Sequence, residues 1–243
     1  MRFISCTSSG GVTEQLFTLD ALPGVLWTPE NATGARPLIL MCPGGGRHKK
    51  DPDILARAHR YVTEGGFAVA AVDVPGHGDR PTDERYDKIA TENQARVAAG
   101  EELAPLIAAF QALVARQTVP EWRVVLRALR RLDHVGGGPV GYWGVSLGCG
   151  LGVPFVAAEP RIRCAVLGLG GAPASAEAAA RVTVPVRFLL QWDDERVPRA
   201  QGLALFDAFA SADKTLHANP GRHGELPESE IDSSLRFFQR HLA

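Results

Sequence analysis

The chain is short of cysteine, of lysine and of net charge, and each shortage narrows what it can be. Four cysteines (Cys6, Cys42, Cys149 and Cys164) are scattered over 243 residues with no Cys-x-x-Cys pair, so neither a disulfide framework nor a common zinc module is written here. Cys42 and Cys164 lie in apolar runs, where a reduced thiol behaves as a small hydrophobe. A formal net charge of -1 exerts no general pull on nucleic acid or an anionic membrane. Only 4 of the 26 basic residues are lysine, a mark of GC-rich codon usage and not of mechanism. No run approaches the roughly 18 apolar residues of a membrane span. The opening Met1–Thr7 stretch lacks the long apolar core of a signal peptide. The expected setting is soluble, reducing and cytoplasmic. The expected partner is a small-molecule substrate, with neither nucleic acid nor membrane involved. A homodimer is neither required nor excluded.

What is present is one large domain's worth of chain, 45% hydrophobic and 22% charged. Residues 14–19 and 24–28 alternate around a Pro-Gly break and predict an antiparallel hairpin. After them, 37–42, 67–73, 139–143, 163–168, 184–191 and 214–218 read as strands, most of them short apolar runs of the kind covered on both faces of a sheet. Helical stretches near 52–64, 120–133, 147–157, 198–211 and 228–241 separate them, the pattern of a doubly wound α/β sheet. One interval is too long for a simple crossover: about 65 residues separate strand 67–73 from strand 139–143. Pro120 is read as a helix start, which leaves 81–118 as surplus. Leu103, Leu106, Ile107, Phe110, Leu113 and Val114 recur there at helical spacing, so the segment holds at least one amphipathic helix. It is extra core packing, a small lid, or both.

The chemistry centres on Gly144-Val145-Ser146-Leu147-Gly148, between an apolar strand and a small-residue helix. A Gly-x-Ser-x-Gly turn of this kind exposes its serine at a sharp apex, which makes Ser146 a candidate nucleophile. A serine hydroxyl needs a base, and the base needs an orienting acid. Asp193, Asp194 and Glu195 compete for the second role just past strand 184–191. Asp194 is favoured because the Asp-x-x-Val-Pro spacing keeps it in the loop. Asp193 is next, and Glu195 reads as a solvated charge near a helix start. His223, in a glycine-flanked loop before the last helix, is the candidate base, whereas His217 reads as strand packing.

An oxyanion needs backbone donors. Leu147 follows the nucleophile, and Pro43-Gly44-Gly45-Gly46 follows strand 37–42, so Leu147 and Gly45 are the candidates, with Gly44 next. No Gly-Lys-Ser/Thr follows that loop, which weighs against phosphate binding. His48, Lys49 and Lys50 read as a solvated face, or as contacts to an anionic substrate group. Gly44, His77, Phe110 and Trp122 complete the candidate substrate contacts, although His77 sits in a Pro-Gly turn that it serves to shape. Cys149 reads as helix packing. Neither metal-ligand spacing nor a dinucleotide fingerprint is present, so no metal and no cofactor is expected.

These motifs, in this order over nearly the full length, resemble the α/β-hydrolase superfamily, most of all its small dienelactone-hydrolase-like and carboxylesterase groups. The resemblance rests on Pro43–Gly46, Asp73–Gly78, Gly144–Gly148, Asp194–Pro198 and Gly221–Gly224. It departs in two places. Pro43-Gly44 replaces a His-Gly at the oxyanion loop, and serine stands where dienelactone hydrolases proper carry cysteine. The resemblance implies a mostly parallel eight-stranded sheet with a short helical lid at 81–118. It also implies two-step acyl transfer on a small ester, thioester or lactone. An acyltransferase, cyclase or lyase on the same triad, or a non-catalytic ligand-binding module, are the alternatives.

Overall fold

Continuous apolar runs can lie only where both faces of a sheet are covered, and the chain folds accordingly. In the computed structural model, which describes residues 1–243, β1 (Arg2–Ser9), β2 (Val12–Leu19) and β3 (Leu22–Pro29) form an antiparallel meander. They are followed by β4 (Leu38–Cys42), β5 (Ala68–Val72), β6 (Val140–Val145), β7 (Ile162–Gly168), β8 (Val186–Gln191) and β9 (Lys214–Asn219), all mutually parallel. The spatial order is β1-β2-β3-β5-β4-β6-β7-β8-β9. β4 is flanked by β5 on one side and β6 on the other, so the winding reverses there. The carboxyl ends of such strands are where open α/β sheets build sites.

The helices are α1 (Pro52–Thr63), α2 (Glu84–Ala98), α3 (Leu103–Leu129), α4 (Leu147–Ala158), α5 (Ala172–Ala179), α6 (Arg199–Ala208) and α7 (Ser229–Leu242). Alternation along each strand divides the core in two. In β6, Val140 and Tyr142 join Trp122, Leu126 and Phe155 beneath α3 and α4, while Trp143 and Val145 join Ile54, Tyr61 and Phe238 beneath α1 and α7. Gly141 and Gly24 stand where a side chain would strike the rings of Phe238 and Phe17, so packing dictates glycine there. No helix is long and apolar enough to cross a membrane.

Three features differ from the sequence reading, each for a physical reason. The sheet has nine strands, one more than expected, because β1 is an edge strand exposed along its whole length and carries no burial signal. Pro120 does not start a helix; it lies inside the 27-residue α3. One apolar stripe (Val114, Thr118, Trp122, Val125, Leu129) runs unbroken across the proline against α4, and Thr118 Oγ1 donates to the Val114 carbonyl at 3.0 Å. Trp122 is core and not a substrate contact: it is 6% exposed and packs on Phe155 and Tyr142, with centroids 5.2 and 5.7 Å away. The sequence reading also passed over α2 and α5. The first is polar almost all round, and the second is short, with alanine at five of its eight positions.

Trp122→Ala should lower stability by about 3–5 kcal/mol in urea unfolding through lost packing and a residual cavity. A shift in KM at undiminished stability would instead return Trp122 to the substrate site.

Candidate active site

Two glycines set the turn between β6 and α4, and close approach, not a left-handed backbone, demands them. A Cβ on Gly144 would come within 2.5 Å of the Gly148 carbonyl oxygen, and one on Gly148 would strike the carbonyl of Cys42 in β4. Tyr142 Oη donates to that Gly148 carbonyl at 2.6 Å, tying strand to helix under the turn. The left-handed residue is Ser146 itself, at φ 56° and ψ -116°. A non-glycine residue held there is strained, and the surrounding packing has to over-determine it. Its carbonyl accepts from the Cys149 and Gly150 N–H groups, both at 3.0 Å, and its N–H donates to Gly168 at 2.9 Å.

The side chain of Ser146 meets His223. Ser146 Oγ lies 2.8 Å from His223 Nε2, and His223 Nδ1 lies 2.8 Å from Asp194 Oδ2. The His223 side chain is 8% exposed and the Asp194 side chain 3%. Burial pushes the Asp194 carboxyl up. The His223 hydrogen bond and the Val197 and Arg196 N–H groups outweigh it, so the pKa settles below the usual aspartate value. Of the three competing carboxylates, Asp194 alone touches the ring. Asp193 Oδ2 stands 3.5 Å from the Gly221 N–H, and Glu195 Oε2 accepts the His223 backbone N–H at 3.0 Å. Glu195 is thus no mere solvated charge at a helix start. It grips the loop that carries the histidine, and that N–H bond, with its own backbone N–H and the nearby Arg222 guanidinium, holds its carboxylate down to about 2.

Two further residues were not legible in the sequence. Gln191, at the end of β8, is 1% exposed and donates through Nε2 to the carbonyls of Pro220, Arg222 and Glu225 at 3.2, 3.2 and 2.9 Å. It fastens the histidine loop to the sheet from below. Lys49 was read as a solvated or substrate-facing cation, and the structure corrects both readings. It is 5% exposed, and Nζ lies 2.6 Å from Asp73 Oδ2 and 2.6 Å from Asp79 Oδ2. Asp73 also accepts the N–H groups of Lys49 and Asp79 at 2.8 and 3.0 Å. Burial pulls the lysine down, but the two carboxylates outweigh it and raise its pKa. A glycine run followed by a lysine gave no hint of this, because the partners lie across a helix and a strand.

The loop so anchored is Pro43–Arg47. A Cβ on Gly45 would lie 3.8 Å from Leu147 Cβ, and one on Gly44 would lie 3.6 Å from Ser146 Cβ, so the loop rests directly on the turn. The N–H groups of Gly45 and Leu147 are taken up by no backbone acceptor. Beside them opens a cavity of about 550 Å³, with Ser146 and His223 in its wall. His77 and Phe110 line it; Gly44 sits behind, against Ser146, and does not. His77 also shapes its own turn, with Nδ1 2.9 Å from the Pro75 carbonyl. Cys149 is buried against Gly170, and burial pushes its thiol up to about 12, which suits packing and not attack. His217 faces Glu230, with Nδ1 3.1 Å from Oε1.

No protein-family model matches the sequence, and no curated protein matches it. Solved structures do. A cold-adapted esterase from an Arctic intertidal metagenomic library is 30% identical, with all of both chains covered and a TM-score of 0.78. The chain belongs to the α/β-hydrolase esterases. Two more distant solved structures share its fold. An acetyl xylan esterase from Paenibacillus sp. R4 is 15% identical over 99% of this chain and 88% of its own, with a TM-score of 0.76. Est1E from Butyrivibrio proteoclasticus, solved with ferulic acid, is 16% identical over 99% of both chains, with a TM-score of 0.66.

Two predictions follow from how this α/β-hydrolase holds its loops. Lys49→Met leaves Asp73 buried without its cation and should cost about 3–5 kcal/mol in chemical unfolding; a loss under about 1 kcal/mol would mean water replaces the ammonium. Glu195 titrates near 2 when folded against an ordinary 4.5, so its contribution is complete above about pH 4.5 and disappears as pH falls toward 2. The Tm advantage of wild type over Glu195→Gln should therefore hold at neutral pH and vanish in strong acid. An advantage independent of pH would show that the carboxylate is not the anchor.

Proposed function

We propose that this enzyme is a serine esterase in which Ser146, His223 and Asp194 carry out two-step acyl transfer. The observation that carries the reading is the hydrogen-bonded chain from a buried Asp194 through His223 to Ser146, ending at an apolar cavity. In the first step His223 Nε2 takes the proton of Ser146 Oγ as the oxygen attacks the ester carbonyl. Asp194 keeps the imidazole oriented and stabilises its cation. The carbonyl oxygen becomes an oxyanion between the Gly45 and Leu147 N–H groups, then re-forms its double bond as the alcohol leaves with the proton from His223. Water, deprotonated by the same histidine, attacks the acyl-serine, and collapse of the second tetrahedral intermediate returns the proton to Ser146.

The substrate class is a small ester, thioester or lactone. The cold-adapted esterase and the acetyl xylan esterase that share this fold agree with ester chemistry, and the cavity volume of about 550 Å³ admits an acyl group well beyond acetyl. Segment 81–118 serves as the lid. Within it α2 buries only Tyr86, whose ring stands edge-on to Phe110 and whose Oη donates to Gln117 at 2.8 Å. The rest of α2 meets the cavity through Ala90, Asn93 and Gln94 and is otherwise exposed, a loosely held cover of the kind that gates access.

A fluorophosphonate probe read by intact mass tests the assignment. Wild type should gain a single adduct, and Ser146→Ala and His223→Ala should gain none. Asp194→Asn should retain the fold while kcat for p-nitrophenyl butanoate falls by about 10⁴-fold. An adduct that persists in Ser146→Ala, or a folded wild type that neither labels nor turns over short esters, would overturn it.

A further inference from the structure

Gln111 on α3 and Gln201 on α6 both face the cavity that Ser146 opens into. Each amide is seated on a glycine. A Cβ added to Gly150 would fall within the Gln111 amide, and one added to Gly171 would come within 3.0 Å of Gln201 Oε1. Gly150 is in the first turn after the nucleophile, so the Gln111 amide lies flat on the helix that Ser146 begins. Neither amide makes a hydrogen bond within the chain, and neither is sealed off from the cavity. Around them stand Leu106, Ile107 and Phe110 from α3, with Leu169 and Val197 opposite the helix; His77, Asn93, Gln94 and Arg196 line the same cavity farther along, and no carboxylate does.

An amide in such a wall loses its water when a substrate enters, and the loss is costly unless the substrate restores a partner. For a plain alkyl chain, leucine of similar size would serve better at both positions. A glutamine amide offers both a donor and an acceptor, which matches a neutral hydroxyl or carbonyl oxygen and gives no purchase on a cation or an anion. We propose that Gln111 and Gln201 determine specificity, selecting esters whose acyl chain carries a neutral oxygen over esters of the same length without one. The proposal rests on acylation at Ser146 and adds to it the polarity of the acyl group.

The test compares p-nitrophenyl hexanoate with its 3-oxo, 4-oxo and 5-oxo derivatives. In wild type at least one oxo ester should exceed hexanoate in kcat/KM by about 5- to 10-fold, the effect of one neutral hydrogen bond to a desolvated partner. In Gln111→Leu or Gln201→Leu that ratio should fall to about one. Gly150→Ala, which keeps Gln111 but pushes its amide off the helix, should lower the ratio in the same direction. A wild-type ratio at or below one for every oxo position overturns the proposal, as does a ratio that survives both leucine variants. Failure of the acylation reading shows differently, as no turnover of any ester. The ratio is then read as Kd values on Ser146→Ala by calorimetry, and equal affinities for hexanoate and oxo esters count against the glutamines on their own.

Discussion

The close approach of α4 to the ends of β4 and β6 is the constraint on which everything else rests. It is set at Gly144 and Gly148, where no side chain fits between the helix, the strand and the Cys42 carbonyl. Because the helix comes so near, Ser146 is forced to a positive φ, and its hydroxyl projects away from the sheet toward the histidine loop. The same approach brings the glycine loop after β4 against Leu147. Two backbone N–H groups then share one small space with the serine. Strain at one residue is tolerated because the surrounding packing is redundant: Tyr142 clamps the Gly148 carbonyl, and the Ser146 backbone is itself hydrogen-bonded on both sides.

Around that rigid point Asp194, His223 and Gly45 ride on loops, and loops move unless something holds them. The structure answers with buried polar anchors, one set for each loop. Gln191 and Glu195 hold the His223 loop by its backbone, through three carbonyls and one N–H. Lys49 and Asp73 hold the glycine loop, with Asp73 also accepting the Asp79 N–H and so closing the turn that carries His77. Side-chain-to-backbone bonds suit this task. They fix where a loop runs without occupying the side chains that face the cavity. Buried pairs add little net stability over an apolar alternative, so their value here is geometric.

What could be read from the sequence, and what could not, divides along physical lines. The apolar parallel strands were legible because two-sided burial leaves short continuous runs bounded by turn residues. Ser146, Asp194 and His223 were legible because each stands just past a strand end with its loop chemistry intact. β1 was not, since an edge strand with no buried face has no pattern. Trp122 and Pro120 misled for one reason: a long helix that packs through a proline keeps its stripe, and the local signal of a break outweighed the period that crosses it. Lys49, Gln191 and Glu195 were beyond reach because their partners are distant in sequence, 24 to 34 residues away, and only the winding of the sheet brings them together.

The continuity of α3 through Pro120 has a consequence for the cavity. The C-terminal half of the helix is locked into the core by Trp122, Val125 and Leu129, while its N-terminal half carries Leu106, Ile107, Phe110 and Gln111 into the cavity wall. A helix broken at the proline would have left those residues on a hinged flap, free to reshape around any acyl chain. Joined to the core, they form the anchored side of the proposed lid, and α2 is its least buried part. Discrimination by a rigid wall is strongest where it presents a desolvated polar group, because a substrate lacking the partner leaves that group unpaired. A seated amide on α3 and another on α6, set among Leu106, Ile107, Phe110, Leu169 and Val197, would therefore separate acyl groups by the position of an oxygen more sharply than by the count of their carbons.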